Sequence, residues 1–260
     1  MKNGREHIVV AIPTMQEQVS CGIMDFMLGL WELNAKPECP WYFDMIRTNG
    51  KVFIEAARNI LVELFLAMPT ADRLFFIDSD TDPCPESLRM LMVKDAPIIA
   101  GLYPIVKASA AAGSPPITTS VYRQNEKPRA DGVTTFKPLF FDELDGKPHE
   151  VDALATGNMI VKREVFENPA MIAGRDFDGT RAFFLWPRTP SGQTIYSDDI
   201  DFCMRAKKAG YKVVAHTGVI WGHHKRLNLK WMMEQLVIAY MSGAAEEAKT
   251  NMEEPRVVLA

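Results

Sequence analysis

The sequence is poor in cysteine and lacks the N-terminal segment expected of an exported protein. Its four cysteines, Cys21, Cys39, Cys84 and Cys203, are far apart and do not have the paired spacing of a zinc site. The first strand-like run, Ile8–Ile12, is too short for a signal-peptide core or a membrane span. We therefore expect a cytoplasmic protein without stable membrane insertion, whose thiols are reduced and mostly buried.

The chain also lacks an excess of positive charge, a basic tail and an internal repeat. It contains 29 lysine and arginine residues against 33 aspartate and glutamate residues, which gives a formal net charge of -4. This balance argues against non-specific binding of nucleic acid by the whole surface, although a local basic patch is compatible with it. The length of 260 residues allows one large α/β domain, or a domain with an attached lobe.

Short apolar runs alternate with helical patterns through the first part of the chain. The clearest helix lies within Phe53–Met68, where apolar residues recur at three-and-four spacing. Alternation of this kind is typical of a mostly parallel, Rossmann-like sheet that is flanked by helices. The sequence therefore predicts an α/β fold. The predicted strands in this part are Ile8–Ile12, Trp41–Ile46, Arg73–Ile77 and Pro97–Gly101.

Residues 102–150 do not continue this alternation, because glycine and proline residues interrupt it, and we expect a small, flexible excursion. We predict one domain over residues 1–243, with a first half at 7–101, this divergent segment at 102–150 and a second half at 151–243, before a polar tail at 244–260. The elements predicted for the second half are a strand region at Val151–Val161, a short helix from Lys162, a helix at Ser197–Ala209, strands at Tyr211–Ala215 and Val219–Trp221, and a helix at Leu229–Met241.

Two carboxylates follow the third predicted strand. Asp78 and Asp80 flank Ser79 directly after the apolar run Leu74–Ile77. Ligands gather at the carboxyl ends of strands in α/β sheets, and carboxylates suit a hard divalent cation and the phosphates that it bridges. The same residue types are also ordinary turn formers and helix caps. On its own, the motif leaves both interpretations open.

Further blocks accompany this motif in a fixed order along the chain. In that order and with that spacing, they resemble the family-2-like nucleotide-sugar glycosyltransferases of the type A (GT-A) fold, of the phage and bacterial type. Residues 102–150 are the portion that matches least. The blocks are Ile12–Glu17, Ala57–Asn59, Asp78–Asp80, Ala100–Pro104, Thr156–Phe166, Ser197–Arg205 and Gly222–His224.

The resemblance implies distinct roles for the two carboxylates. In the family, the first aspartate of the Asp-x-Asp element contacts the nucleotide and the last binds a divalent metal on the diphosphate. This implies nucleotide contact for Asp78, with Ser79 beside it, and metal binding for Asp80. His223 matches a position where such enzymes often place a metal-binding histidine, although a histidine is also commonly a hydrogen-bonded structural residue. An imidazole beside carboxylate and phosphate oxygens favours Mn²⁺ over Mg²⁺.

Three carboxylates crowd the start of the predicted helix that follows Ser197. Acidic first-turn residues stabilise the positive end of a helix, but three in four positions repel one another more than capping requires. We expect Asp198, Asp199 and Asp201 to point away from the buried face, and Asp201 to pair with Arg205. By resemblance, the second residue of an acidic pair is the catalytic base, which implies Asp199. Asp198 stands where glutamate is more frequent, so the choice between Asp198 and Asp199 stays open.

The remaining candidate residues lie in the first and fifth blocks and in the long helix. By resemblance, Thr14 and Glu17 contact the nucleotide at the end of the first strand. Arg58 lies off the apolar stripe of its helix, so it binds the nucleotide or the paired carboxylates, or is an exposed helical arginine. Thr156 and Gly157 are expected on the acceptor side, since glycine permits close backbone approach.

Together, the resemblance implies a metal-dependent, inverting glycosyltransferase of the hexosyltransferase type. It would move a sugar from a UDP or GDP sugar to a hydroxyl of a glycan, or of a modified base in phage DNA, in the latter case in the host cytoplasm. One alternative, a sugar nucleotidyltransferase, would need a glycine-rich basic phosphate loop, which Pro13–Glu17 lacks. A catalytically silent nucleotide-sugar-binding module would be expected to lose Asp80, Asp199 or His223, and all three are present.

Overall fold

The computed structural model describes residues 2, 4–14, 19–49, 53–93, 95–106, 117–129, 132–176 and 179–225, together with Met233, Val237 and Met241. The chain divides into two compact units. The first comprises Met1–Tyr103 and Thr119–His224, and the second comprises Pro104–Thr118 and Lys225–Ala260. The predicted polar tail at 244–260 and most of the predicted helix Leu229–Met241 lie outside the described residues.

A seven-stranded sheet forms the centre of the first unit. In chain order, the strands of the described residues are β1 (Glu6–Ile12), β2 (Trp41–Arg47), β3 (Arg73–Phe76), β4 (Thr81–Asp82), β5 (Ile98–Leu102), β6 (Pro104–Val106), β7 (Ile117–Thr119), β8 (Val121–Gln124), β9 (Phe136–Pro138), β10 (Pro148–Glu150), β11 (Ala153–Leu154), β12 (Met159–Lys162), β13 (Gly174–Arg175), β14 (Arg181–Ala182), β15 (Val213–Ile220) and β16 (Gly222–His223). The order in the central sheet is β10-β15-β5-β12-β3-β1-β2.

Most strands of this sheet point the same way. Strand β1 is parallel to both β2 and β3, and β15 is parallel to β5. Strand β12 is inserted antiparallel between β3 and β5, and β10 is antiparallel to β15 at the edge. Five of the seven strands therefore share one direction, which confirms the predicted mostly parallel α/β sheet. Strands β3 and β5 are buried along their whole length, as expected for strands that are covered on both faces.

Helices cover both faces of the sheet. The helices of the described residues are α1 (Cys21–Asn34), α2 (Ile54–Leu66), α3 (Pro85–Val93), α4 (Arg163–Glu167) and α5 (Asp198–Lys208). On one face, Phe26 of α1 contacts Phe75 and Trp221, and the Trp221 indole donates to Ser87 of α3. On the other face, helices α2, α4 and α5 pack in one apolar cluster with Phe76. Alternation along β3 sends Phe75 and Phe76 to opposite faces.

The segment at 102–150 contains more regular structure than we expected. Strand β8 pairs with β9 and with β11, which makes a separate three-stranded sheet. Thr119 fixes one end of it, because its hydroxyl donates to the Leu139 carbonyl at 2.8 Å, and Leu139 N–H donates to Val121 at the same distance. The part of this segment that the structure describes therefore contributes short strands and a second small sheet.

Other local predictions need correction. The two short strands predicted after Gly210 are one strand, β15, with an irregular register between Ala215 and Ile220. Of the cysteines, which are all free, Cys39 and Cys203 are buried but Cys21 and Cys84 are exposed, so the thiols are less buried than predicted. Within the described residues, no helix has the length and apolar character that crossing a membrane requires.

Candidate active site

The Asp78–Asp80 element forms a tight turn at the carboxyl end of β3. The Asp78 carbonyl accepts hydrogen bonds from the N–H and the hydroxyl of Thr81, at 3.0 and 2.8 Å. The Asp78 N–H donates to the Gly157 carbonyl at 3.2 Å. The turn is thus fixed on both sides by the backbone, and the second and third residues, Ser79 and Asp80, are partly exposed beside it.

A short strand pair brings His223 to this turn. Strands β4 and β16 are antiparallel, with His223 opposite Thr81, and the N–H of His224 donates to the Asp80 carbonyl at 2.7 Å. As a result, His223 Nε2 lies 3.4 Å from Asp80 Oδ1. The Asp80 side chain is 40 % exposed, whereas that of His223 is 8 % exposed. The two side chains for which the resemblance implies metal binding therefore face each other, and their role as metal ligands stays a prediction.

The Asp80 and His223 side chains have the chemistry to bind a divalent cation. One carboxylate and one imidazole face each other, and the carboxylate is open to solvent and to phosphate ligands. In the part of the chain that the structure describes, no cluster of three or more His, Cys, Asp and Glu side chains could enclose a metal. Within the described residues, Asp80 and His223 are therefore two side chains that could contribute ligands to a cation, and further ligands would be needed.

Arg58 of α2 lies at the centre of a buried cluster of carboxylates. Its guanidinium donates to Asp198 at 2.6 Å, and a second nitrogen lies 3.5 Å from Asp78. Arg58 is 6 % exposed and Asp198 1 % exposed. Of the interpretations that the sequence left open, an exposed helical arginine is wrong, and contact with the paired carboxylates is confirmed. Burial raises the pKa of Asp78, and the Arg58 cation opposes that rise.

The two carboxylates at the start of α5 have different environments. Asp198 is buried on Arg58, so the expectation that it points away from the buried face is wrong. Asp199 is partly exposed, and its Oδ1 accepts hydrogen bonds from the Ser197 hydroxyl and from the Ile200 N–H at 2.8 Å. Burial and the neighbouring Asp198 carboxylate raise the pKa of Asp199 to about 6. The predicted ion pair of Asp201 with Arg205 is present at 2.9 Å.

A residue that sequence reasoning did not assign, Tyr103, lies between these groups. It is 4 % exposed, and its ring centroid is 5.0 Å from that of His223 in an edge-to-face arrangement. Burial and the Asp78 and Asp199 carboxylates raise the pKa of Tyr103 well above its usual range. The signal was available, because Tyr103 belongs to the Ala100–Pro104 block, but the block suggested no chemistry for it.

Thr156 and Gly157 form a 3₁₀ turn with Asn158 between β11 and β12. All three are buried, and within the described residues the Thr156 hydroxyl and both polar atoms of the Asn158 amide make no hydrogen bond. A methyl group on the Gly157 Cα would lie 2.7 to 2.8 Å from the ring and hydroxyl of Tyr103. The space that glycine leaves here is therefore filled by Tyr103.

The nucleotide-side residues of the first block are only partly described. Thr14 is buried, and both its N–H and its hydroxyl are hydrogen-bonded to Thr48. Its side chain therefore connects the ends of β1 and β2. Glu17 lies outside the described residues. The structure thus brings Arg58, Asp78 and the α5 carboxylates together, but it gives Thr14 a structural contact.

The comparisons with known proteins give similarities of fold only. No family model and no curated protein matches the sequence. Among solved structures, A197 from STIV is 18 % identical over 85 % of this chain and 86 % of that chain, with a TM-score of 0.49. GalNAc-T7 with UDP, GalNAc and Mn²⁺ is 12 % identical over 88 % and 45 %, with a TM-score of 0.46. The catalytic domain of Drosophila beta1,4galactosyltransferase 7 in complex with xylobiose is 13 % identical over 88 % and 79 %, with a TM-score of 0.43.

Proposed function

We propose that the protein is a metal-dependent, inverting glycosyltransferase of GT-A type that transfers a sugar from a nucleoside diphosphate sugar to an acceptor hydroxyl. The observation that supports this most is the arrangement at the carboxyl end of β3. The Asp80–His223 pair lies two residues from Asp78 along the turn, and Arg58 contacts both Asp78 and Asp198 at the start of α5. A donor diphosphate and an acceptor hydroxyl need two such neighbouring sites.

Asp78, Ser79 and Asp80 bind the donor in this proposal. Asp80 and His223 would hold the cation, Mn²⁺ in preference to Mg²⁺ because one ligand is an imidazole. When bound, the cation neutralises charge on the departing nucleoside diphosphate, of UDP or GDP type. Arg58 lies 3.5 Å from the Asp78 carboxylate, and in this proposal its charge orients that carboxylate at the nucleotide site.

Asp199 is the catalytic base of the proposed reaction. Both of its hydrogen bonds end on Oδ1, and no hydrogen bond within the described residues uses Oδ2, which can accept a proton from the acceptor hydroxyl. As the proton moves to Asp199, the hydroxyl oxygen forms a bond to the anomeric carbon, and the bond from that carbon to the phosphate oxygen breaks. One displacement inverts the anomeric configuration. Asp198 cannot serve equally, because it is buried on Arg58.

The acceptor is a glycan or a modified DNA base, and in this proposal Asp199, Thr156 and Gly157 lie on its side of the site. We also assign an aromatic pair to the acceptor side. Tyr196 lies three residues before Asp199 and is edge-to-face with Phe136 of β9 at 5.7 Å. Both rings are partly exposed, and aromatic faces of this kind stack on sugars and on bases.

The test is release of nucleoside diphosphate from a panel of UDP and GDP sugars with Mn²⁺, by the wild type and by Asp80→Ala. We expect release from at least one donor and its loss in Asp80→Ala. Asp82→Asn is the matched control, because Asp82 is a carboxylate in the adjoining strand that lies 3.8 Å from His224 instead. Activity of Asp80→Ala equal to that of Asp82→Asn would contradict the proposal. Pyrophosphate release from a nucleoside triphosphate and a sugar phosphate, without hydrolysis or transfer from any donor, would favour a nucleotidyltransferase.

A further inference from the structure

Tyr103 has contacts that a residue of the apolar core would not need. Its N–H donates to the Ser120 hydroxyl at 3.0 Å, which fixes its backbone to the strand region before β8. Its hydroxyl accepts a hydrogen bond from the Gly157 N–H at 3.2 Å. Its ring meets the His223 imidazole edge-to-face. One side chain therefore joins the turn at Gly157 to the imidazole that faces Asp80.

The contact with Gly157 is tight enough to be specific. A methyl group at Gly157 would lie 2.7 Å from a ring carbon of Tyr103 and 2.8 Å from its hydroxyl, closer than real contacts allow. Gly157 does not have a positive φ, so its backbone conformation does not require glycine. The absence of a side chain at Gly157 is explained by the tyrosine ring that lies against it.

His223 needs a neighbour of this kind. Its strand, β16, is only two residues long and pairs with another two-residue strand, β4. An aromatic ring at 5.0 Å restricts the rotation of the imidazole and keeps Nε2 toward Asp80. Groups behind a metal ligand that fix its orientation typically change metal affinity by about 10- to 100-fold when they are removed.

We propose that Tyr103 is a positioning residue that holds the His223 imidazole in the orientation for cation binding and fixes it to the turn at Gly157. The proposal rests on the proposed function, because it takes His223 as a cation ligand. It assigns the ring of Tyr103 to His223 and the hydroxyl to Gly157, and these two contributions can be separated by substitution.

The test measures Mn²⁺ affinity directly, by electron paramagnetic resonance of free Mn²⁺ titrated into the protein with UDP and, separately, with GDP. We expect Tyr103→Leu to weaken Mn²⁺ binding about tenfold, and Tyr103→Phe, which keeps the ring, to stay within about threefold of wild type. Gly157→Ala should behave like Tyr103→Leu, because the added methyl displaces the ring without changing Tyr103. If Tyr103→Leu fails to fold, Gly157→Ala and Tyr103→Phe still decide the question.

A double-mutant cycle of Tyr103→Leu with His223→Ala distinguishes this inference from the function on which it rests. If Tyr103 acts through His223, Tyr103→Leu adds no further loss of Mn²⁺ affinity in the His223→Ala background. Full additivity, or equal weakening by Tyr103→Phe and Tyr103→Leu, would overturn the positioning role. Wild-type Mn²⁺ affinity in His223→Ala would refute the metal site itself, whereas weak binding in His223→Ala with normal binding in Tyr103→Leu would refute only this inference.

A second readout needs no metal. In the metal-free protein, the ring-current field of Tyr103 acts on the carbon-bound imidazole protons of His223. We expect these proton resonances to shift in Tyr103→Leu and in Gly157→Ala, and to change little in Tyr103→Phe. Unchanged resonances in Tyr103→Leu would contradict the contact on which the inference depends.

Discussion

Two arginines lie at opposite ends of strand β3, and they differ in the carboxylates that they contact. Arg73 is the first residue of the strand, and Arg58 contacts Asp78, which follows its last residues. Both side chains are 7 % exposed, and each contacts two carboxylates. Burial of the cation is therefore the same at the two ends, and the carboxylates differ.

At the amino end, the carboxylates reach water. Arg73 pairs with Glu6 and with Asp95, whose side chains are 30 % and 74 % exposed, and Lys162 adds a second cation 2.6 Å from Asp95. The hydrogen bond from Lys162 lowers the pKa of Asp95. Charges at this end are matched and hydrated, which is the arrangement expected of a structural ion-pair network.

At the carboxyl end, carboxylates outnumber the cation and are less hydrated. Arg58 contacts Asp78 and Asp198, whose side chains are 20 % and 2 % exposed, and Asp199 follows Asp198 directly in sequence. The pKa values of Asp78 and Asp199 are both raised. Perturbed carboxylates of this kind cluster where a protein binds ligands or moves protons. The two ends therefore differ in the excess of carboxylates over cations, and not in the burial of the arginine, and the end with the excess is the one that we propose as the site.

The largest effect on activity is expected when the Asp199 carboxylate is neutralised. Asp199→Asn should lower the transfer rate by about 100- to 10,000-fold, the usual contribution of a general base, while donor and Mn²⁺ affinity stay within about threefold of wild type. The rate is measured by sugar transfer under saturating donor, and donor affinity is measured by calorimetry.

Asp201→Asn is the matched control for this substitution. It removes a carboxylate two positions further along α5 that is occupied by Arg205, and its rate should stay within about threefold of wild type. If Asp199→Asn retained full activity, the base would have to be another residue, and the raised pKa of Asp199 would have only structural meaning.

A second prediction compares the loss of stability when each of the two arginines is replaced. Arg58→Met leaves Asp198 buried without its cation, and it should lower the free energy of unfolding by ~3–5 kcal/mol at pH 7. Arg73→Met leaves Asp95 hydrated and paired with Lys162, and it should cost only ~1 kcal/mol. Urea denaturation of both variants measures the difference.

The same experiment at pH 5 tests the cause. The destabilisation in Arg58→Met should become smaller there, because burial raises the pKa of Asp78 and, without the opposing Arg58 cation, this carboxyl can take up a proton and become neutral. Equal losses of stability in the two variants, or a loss in Arg58→Met that does not depend on pH, would show that the two ends of β3 are electrostatically alike.

Local sequence patterns predicted the main strands well, because strands that are buried on both faces are continuous apolar runs. The predicted strand Ile8–Ile12 lies within β1, and Arg73–Ile77 differs from β3 by one residue. The insertion of β12 between β3 and β5 was not predicted, since strand order depends on contacts that are distant in sequence. The sheet of β8, β9 and β11 was missed for a different reason. Its strands are only two to four residues long, which is too short to give a clear periodic pattern.

For the site, the motifs predicted which residues meet but not how they share contacts. The pairing of Asp80 with His223 followed from the order of the blocks. The burial of Asp198 on Arg58 did not, because the first turn of a helix with three carboxylates appears solvent-exposed in sequence. Tyr103 was missed because its contacts are with Gly157 and His223, both far along the chain, and no local pattern connects them.

The smallest predicted effect concerns the pH dependence of stability, which should have opposite sign at the two ends of β3. The pKa of Asp199 is raised from its ordinary value of 3.8 to about 6, so the folded state holds this proton more tightly than the unfolded state. The stability from Asp199 is therefore fully present below about pH 4 and is lost as the pH rises through 6. Asp199→Asn should be more stable than wild type at pH 7, by ~1–2 kcal/mol, with no advantage at pH 4.

Asp95 should give the reverse dependence, since its pKa is lowered in the folded state. Its stabilising contribution is present above its unfolded pKa and is lost as the pH falls through the folded value. Asp95→Asn should therefore be slightly less stable than wild type at pH 7, and the difference should vanish in acid. Free energies of unfolding from urea titrations between pH 3.5 and 7.5, in steps of about half a unit, measure both differences against wild type. The same sign of pH dependence in the two variants would mean that the carboxylates at the two ends of β3 have similar electrostatic environments. It would contradict the proposal that the carboxylates at the carboxyl end form a functional site.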